Sequence, residues 1–342
     1  MTRAETAAFL REHDNYCILT HRRPDGDTIG SSAALCLGLR AMGKTAWLLR
    51  NPQFTPRFAA VLDGLVCEDV PDEATIVSVD VAAPDLLPIG REELAAQVQL
   101  VIDHHARSSV SAEHRLVEAE RAACGEIIIG LLELLGVSLD ARMAESIYIA
   151  ISTDTGCFQY SNTTADTLRI AAACKDAGAD TYAVNQIFFG TKSFARLKLE
   201  ARLTGSAEFY ADGKVALVEL PQAWLDELGA SEDDVDSIAG FARAIEGVEL
   251  GITVRDVEGG NGKLSLRTSG TYNACEVCRG LGGGRAGRTM RATSAGSWAA
   301  ADILRRPGRQ SRAASRARSG PFWTCCAGKG SSEDGKRHFD RG

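Results

Sequence analysis

The chain has 342 residues, enough for two domains that each bury a core. Its 45% hydrophobic and 24% charged content is that of an ordinary globular protein, and no apolar run reaches the roughly 18 residues that span a bilayer. The net charge of −7 is uneven: residues 285–342 carry 13 Lys and Arg against 4 Asp and Glu, so the body before them is acidic. An acidic body excludes a long duplex as substrate, which needs an extended basic surface, and leaves room for a small anion held by a few arginines and metals.

Met1-Thr2-Arg3-Ala4-Glu5 mixes both charges and leads into a helix, which is not the pattern of a signal peptide. Tyr16 to Thr20 reads as a buried strand that ends at His21. Thr28 to Met42 is small and apolar at helical spacing, closed by Gly43. Three further strands follow at Thr45–Leu49, Ala74–Val79 and Gln97–Ile102, then helices over Cys124–Leu135, Ala141–Ser152 and Thr163–Ala177. Strands alternating with helices predict a parallel, doubly wound α/β sheet. The charged stretch Arg196–Arg202 reads as a linker helix. Short strands come next at Ala207–Tyr210, Val215–Leu220, Leu250–Arg255 and Lys263–Arg267, with turns at Asp212-Gly213 and Gly259-Gly260-Asn261-Gly262. A helix over Glu232–Arg243 makes this a second, smaller α/β domain.

After Gly284 the periodicity fades into Arg, Ser, Gly and Ala. A basic disordered tail and a frameshifted reading of GC-rich coding sequence both account for that change. Cys17, Cys36 and Cys174 sit in apolar runs, as reduced core cysteines of a cytoplasmic protein do. Cys275-Glu276-Val277-Cys278 is a lone CxxC without a second pair, and a structural role outweighs a metal or redox one.

Four segments carry ligand chemistry: His21-Arg22-Arg23-Pro24-Asp25-Gly26-Asp27, Ser78-Val79-Asp80, Val101-Ile102-Asp103-His104-His105 and Ser152-Thr153-Asp154-Thr155. Each follows a strand or a small-residue helix, where a doubly wound sheet places its catalytic loops. Carboxylates with a few imidazoles and no thiolate suit Mn²⁺ or Mg²⁺ better than a structural zinc. A two-metal phosphoesterase needs one carboxylate that serves both ions, and Asp80 at the end of a central strand is placed to do so. Alternation along an extended loop turns His21, Asp25 and Asp27 to one point, with Gly26 supplying backbone freedom between the two carboxylates. Gly30-Ser31-Ser32 opens the helix with amides free for an anion. His104 ligates while His105 stays free for acid chemistry or substrate contact, and Asp154 completes the second ion. Taken singly, each segment is more often a turn or a solvated loop; four of them in order are not.

In that order the four segments resemble the motifs of the DHH phosphoesterase superfamily, with Phe158-Gln159-Tyr160-Ser161-Asn162-Thr163 extending the fourth. The version here is similar to that of the bacterial nanoRNase/pAp-phosphatase group. The resemblance implies a DHH domain over residues 1–187, a linker over 188–204, a DHHA1-like domain over 205–284 and an active site in the cleft between the two domains. It implies two Mn²⁺ ions, with Mg²⁺ or Co²⁺ as substitutes. His21, Asp25 and Asp80 would hold one ion; Asp27, Asp80, His104 and Asp154 would hold the other. Asp103 would orient a ligand imidazole, His105 would touch the scissile phosphate or assist the leaving group, and a metal-bridging hydroxide would attack. Arg22, Arg23 and Arg107 offer phosphate contacts or are solvated loop charge.

In the second domain, Arg267 and the turn Gly282-Gly283-Gly284 resemble the family's phosphate-binding elements. The family's continuation, a histidine and an Ala-Ala-Gly run, is replaced by Arg285-Ala286-Gly287-Arg288. The implied activity is hydrolysis of very short RNA (two to five nucleotides) and of 3′-phosphoadenosine 5′-phosphate (pAp), in the cytoplasm, by a protein that family analogy makes a homodimer and that binds no membrane. A cyclic or linear dinucleotide phosphodiesterase and a catalytically impaired nucleotide-binding protein are the rivals.

Overall fold

The computed structural model describes residues 1–235, 238–257, 261–268 and 289–292, which fall into two compact units, one ending at Thr191 and the other beginning at Lys192. In the first unit, strands β1 (Tyr16–Leu19), β2 (Ala46–Leu49), β3 (Val66–Cys67), β4 (Thr75–Val79), β5 (Leu100–Asp103) and β6 (His114–Val117) form one sheet in the order β3-β2-β1-β4-β5-β6. Every pairing is parallel. The central strands are continuous apolar runs because both faces are covered. Tyr16, Ile18, Val77, Val79, Leu100 and Ile102 pack on one side, while Cys17, Leu19, Ile76 and Val101 alternate to the other.

The helices of this unit are α1 (Arg3–Glu12), α2 (Gly26–Ala41), α3 (Ala59–Leu62), α4 (Gly125–Leu135), α5 (Ala141–Asp154), α6 (Ala165–Asp176) and α7 (Thr181–Asn185). The chain runs outward from β1 to β3 and returns to β4 on the other flank of β1. That reversal creates a crevice at the carboxyl ends of β1 and β4, where open α/β sheets bind ligands. Helices α2, α4 and α5 approach closely through small residues. A Cβ on Gly30 would lie 2.3 Å from the Ser146 carbonyl oxygen, and one on Gly125 would lie 2.7 Å from the Ala150 Cβ. The short strands β3 and β6 carry no sequence signal. They are two and four residues long and lie at the sheet edges, with side chains half-buried for the most part.

In the second unit, strands β7 (Glu208–Tyr210), β8 (Val215–Leu220), β9 (Leu250–Val257), β10 (Asn261–Thr268) and β11 (Thr289–Ala292) form a sheet in the order β11-β10-β9-β8-β7. Only β8 and β9 pair in parallel, so this sheet is mixed. Helices α8 (Phe194–Gly205), α9 (Gln222–Leu228) and α10 (Glu232–Val235) accompany it. The charged stretch expected as a linker lies in α8, which buries Leu199 and Leu203 with Ala216, Val218 and Leu220.

The helix expected over 232–243 is broken. Its described residues form α10 and the single turns Ile238–Gly240 and Ala242–Ala244, in keeping with the low helix propensity of Gly240. Helix α9 went unanticipated and ends on Gly229 at φ 59°. Asn261 pairs with Val257, so Asn261 and Gly262 belong to β10 rather than to the expected turn. Strand β11 falls inside the stretch expected to be a disordered tail. Cys275, Cys278, Gly282, Gly283 and Gly284 lie outside the described residues. Among the described residues no helix is long and apolar enough to cross a membrane.

Candidate metal centre

The four segments meet at the carboxyl end of the first unit's sheet. His21 lies two residues beyond β1. Asp25 is the N-cap of α2, and Asp27 sits in its first turn. Asp80 directly follows β4, is 3% exposed and takes φ 60°, a left-handed value that aspartate tolerates better than most residues. Asp103 closes β5, followed by His104 and His105, and Asp154 is the last residue of α5. Three ligand groups result: His21, Asp25 and Asp80; Asp80, His104 and His105; and Asp27, His104 and Asp154. The two oxygens of Asp80 face different imidazoles, Oδ2 at 3.7 Å from His21 Nε2 and Oδ1 at 3.4 Å from His104 Nε2. His104 Nε2 also stands 3.6 Å from Asp27 Oδ2 and 3.4 Å from Asp154 Oδ2.

The hydrogen bonds decide which ring atoms are available. His21 Nδ1 lies 2.9 Å from the Arg22 carbonyl and His104 Nδ1 lies 3.1 Å from the Arg121 carbonyl. A carbonyl only accepts, so each Nδ1 carries the proton and each Nε2 is turned to the carboxylates. Those Nε2–oxygen separations exceed the 2.7–3.2 Å of a normal hydrogen bond. They resemble the roughly 3–3.5 Å between two ligands about 2.1 Å from a shared ion. Asp80 Oδ1 is buried with no hydrogen-bond partner, an orphan acceptor of the kind a cation satisfies. The donor set of carboxylates and imidazoles therefore fits divalent metal.

Electrostatics agree. Burial alone draws His21 down, but the Asp25 carboxylate, backed by Asp80, outweighs it and raises the imidazole to about 10. The same opposition, with Asp80, Asp27 and Asp154 prevailing, puts His104 at about 11. Burial and then the Asp80 charge push Asp27 up to about 7, and burial with Asp27 and Asp25 raises Asp154 well above the carboxylate range. Burial would raise Asp25 too, but the His21 charge reverses this and holds its carboxyl low. Without a cation, the site is a crowd of carboxylates held together by imidazole protons.

Several expectations change in detail. Asp25 and Asp27 converge through the helix start, not through an extended loop. Asp25 Oδ1 accepts the amides of Asp27 and Thr28 at 3.1 and 3.2 Å, so these first-turn amides are taken rather than free for an anion. Gly26 is needed for space and not for a left-handed turn, since a Cβ there would meet the Thr153 side chain at 2.4 Å. Asp103 orients His105, with Oδ1 at 2.8 Å from His105 Nδ1, whereas the Arg121 carbonyl orients His104. Arg107 is exposed on the turn after His105, and Arg267 lies on β10 in the second unit. Sequence reasoning places Asn162 only within the extension of the fourth motif and does not reach Arg121, whose backbone carbonyl acts on His104 from 17 residues away and leaves no local signature.

The family model described as the DHH family, N-terminal domain, matches residues 15–151. A Thermus thermophilus protein named bifunctional oligoribonuclease and PAP phosphatase NrnA is 32% identical over 272 residues, covering 78% of this chain and 80% of the relative. The chain belongs to the DHH family. Its members are metal-dependent phosphoesterases, and so is this chain. A Mycoplasma pneumoniae protein of the same name is 26% identical over 195 residues, covering 52% of this chain and 57% of that relative. The solved structure of an exopolyphosphatase-related protein from Bacteroides fragilis matches at a TM-score of 0.75 and 22% identity, over 88% of this chain and 94% of that one. This last likeness shows a shared fold.

Proposed function

We propose that this DHH-family protein is a cytoplasmic phosphoesterase that hydrolyses very short oligoribonucleotides and pAp with two Mn²⁺ ions. The observation that carries the reading is Asp80, whose two oxygens address two separate ligand groups from a buried, left-handed position. His21, Asp25 and Asp80 would hold one ion, and Asp27, Asp80, His104 and Asp154 the other. When bound, the pair supplies positive charge that offsets the phosphate's and makes water acidic enough to attack near neutral pH.

The chain's own residues supply orientation and a proton. Asp103 is fully buried and fixes the His105 ring through Nδ1, which leaves Nε2 of this half-exposed imidazole for the substrate. Burial lowers the His105 imidazole's basicity, but the Asp103 carboxylate and the Asp80 charge raise it above the ordinary value. The raised basicity favours a proton on His105, which this ring would place on the scissile phosphate or pass to the leaving oxygen. Arg107, two residues on, offers a phosphate contact. Arg267 and Gly282 to Gly284 would grip a further phosphate. The acidic body and the small ligand cluster suit a short substrate rather than a long polymer.

The test is turnover of a 5′-labelled RNA dinucleotide and, in parallel, of pAp, with Mn²⁺ and with EDTA. EDTA-sensitive release of mononucleotide or inorganic phosphate, lost in Asp80→Ala and His104→Ala, is the expected result. Stoichiometric Mn²⁺ uptake with no turnover of either substrate would contradict the substrate assignment.

A further inference from the structure

Residues 121–125, the end of the β6–α4 connection and the first residue of α4, reach three of the ligand-bearing segments through their backbone. The Arg121 carbonyl accepts from His104 Nδ1 at 3.1 Å. The amides of Cys124 and Gly125 donate to Asp27, to Oδ2 at 2.7 Å and to Oδ1 at 3.1 Å. Asn162 Nδ2 donates both to the Ala122 carbonyl at 3.1 Å and to the Asp154 carbonyl at 3.2 Å. The N-cap of α4, Cys124, has no side-chain capping bond, so Asp27 satisfies amides that the helix start leaves open. None of these bonds specifies the side chain at 121. The side chain is nevertheless held from several directions.

Arg121 Nε lies 3.0 Å from Glu118 Oε2, and its NH1 lies 3.9 Å from Glu126 Oε2 and 3.8 Å from Asp166 Oδ2. Arg3 grips the same Glu118 through two bonds of 2.7 and 2.6 Å. Glu126 is 2% exposed; it accepts from the Thr167 hydroxyl and, at 3.4 Å, from the Ala122 amide. A carboxylate buried so deeply needs its cation and its donors, and the cation here is Arg121. Arg121 and Glu126 thus pin the 121–125 backbone from its two ends.

On the metal-centre reading above, we infer that Arg121 and Glu126 are positioning residues. Their ion-pair cluster fixes the 121–125 backbone and, through it, the ring of His104 and the seat of Asp27. Neither side chain touches a ligand group directly. Their loss lets the Arg121 carbonyl swing away, so that His104 loses the hydrogen bond that fixes its ring and Asp27 loses two amide donors.

The experiment compares full-length wild type with Arg121→Ala, Arg121→Lys and, as a stability control, Leu65→Ala, which truncates a fully buried core residue. Mn²⁺ affinity is measured by calorimetry, thermal midpoint by scanning, and the His104 Nδ1–H hydrogen bond of the metal-free protein by its proton shift and solvent exchange in proton–nitrogen NMR. Arg121→Ala should weaken Mn²⁺ binding by about 10- to 100-fold, the range for loss of a partner that orients a metal ligand. Arg121→Lys should recover part of that loss. Leu65→Ala should lower the thermal midpoint at least as much and keep the wild-type affinity. The His104 Nδ1–H resonance should lose its downfield shift and its protection from exchange in Arg121→Ala alone. The inference is overturned if Arg121→Ala keeps both the affinity and the hydrogen-bonded Nδ1–H signal, or if Leu65→Ala weakens Mn²⁺ binding equally. Failure of wild type to bind Mn²⁺ would defeat the metal-centre reading instead, and the His104 Nδ1–H signal would still decide the role of Arg121.

Discussion

The carboxylates of this centre differ in what else they hold. Asp27 accepts from the Ser31 hydroxyl at 2.8 Å and from the amides of Cys124 and Gly125, so it caps α4 as well as facing His104. Asp154 faces His104 at 3.4 Å and is 30% exposed at its side chain. Both Asp27→Ala and Asp154→Ala should abolish Mn²⁺ binding at one ion. Only Asp27→Ala should also unfold more easily without metal, by about 2–4 kcal/mol, because it orphans buried donors. Urea denaturation of the metal-free variants checks this, and equal midpoints for the two would count against it. Protons offer a second check. With His21 at about 10 and His104 at about 11, both imidazoles are charged at neutral pH without metal. Pairing stabilises the metal-free fold fully below their ordinary pKa of about 6.5, and the gain fades as pH climbs through 10. Metal must displace those protons and any that Asp27 and Asp154 hold, so Mn²⁺ uptake should release about two or more and strengthen as pH rises from 6 to 8. Calorimetry in buffers of different ionisation enthalpy reads the release directly; identical heats in all buffers would rule it out.

At the scale of elements, the long buried strands and small-residue helices were legible because apolar runs and glycine stops are local signals. β1, β4 and β5 each end within a residue or two of a ligand, and the alternation of strand and helix identifies the sheet as parallel. The ligand residues were legible for the same reason, since each sits at a strand or helix end. What stayed hidden depends on distant partners. The edge strands β3 and β6 exist through pairing with β2 and β5, and Gly26 and Gly30 are glycines because Thr153 and Ser146 lie against them. The Arg121 carbonyl that turns His104 belongs to the same class. Gly30→Ala should therefore be costly, since its Cβ would meet a backbone oxygen at 2.3 Å and a backbone nitrogen at 2.9 Å. We expect about 2–3 kcal/mol of destabilisation and weaker metal binding, as α2 and α5 carry Asp27 and Asp154. Gly205→Ala in α8, where nothing lies within 4 Å of the added Cβ, should be neutral or slightly stabilising. Urea midpoints for the pair test the contrast, and a neutral Gly30→Ala would show that the helices can part without loss.

For the whole molecule, the six residues proposed as ligands lie in the first unit, ahead of Thr191, while Arg267 lies in the second. On the proposed reading, chemistry and substrate grip fall to different parts of the chain. The basic stretch after Gly284 lies outside the acidic body that holds the metal ligands. On the proposed reading one carboxylate, Asp80, joins two ions. Electron paramagnetic resonance of the full-length protein titrated with Mn²⁺ reads this arrangement. Two Mn²⁺ per chain with an exchange-coupled signal are expected, and loss of that coupling in Asp80→Asn. A single isolated six-line Mn²⁺ spectrum at saturation, unchanged by Asp80→Asn, would contradict it.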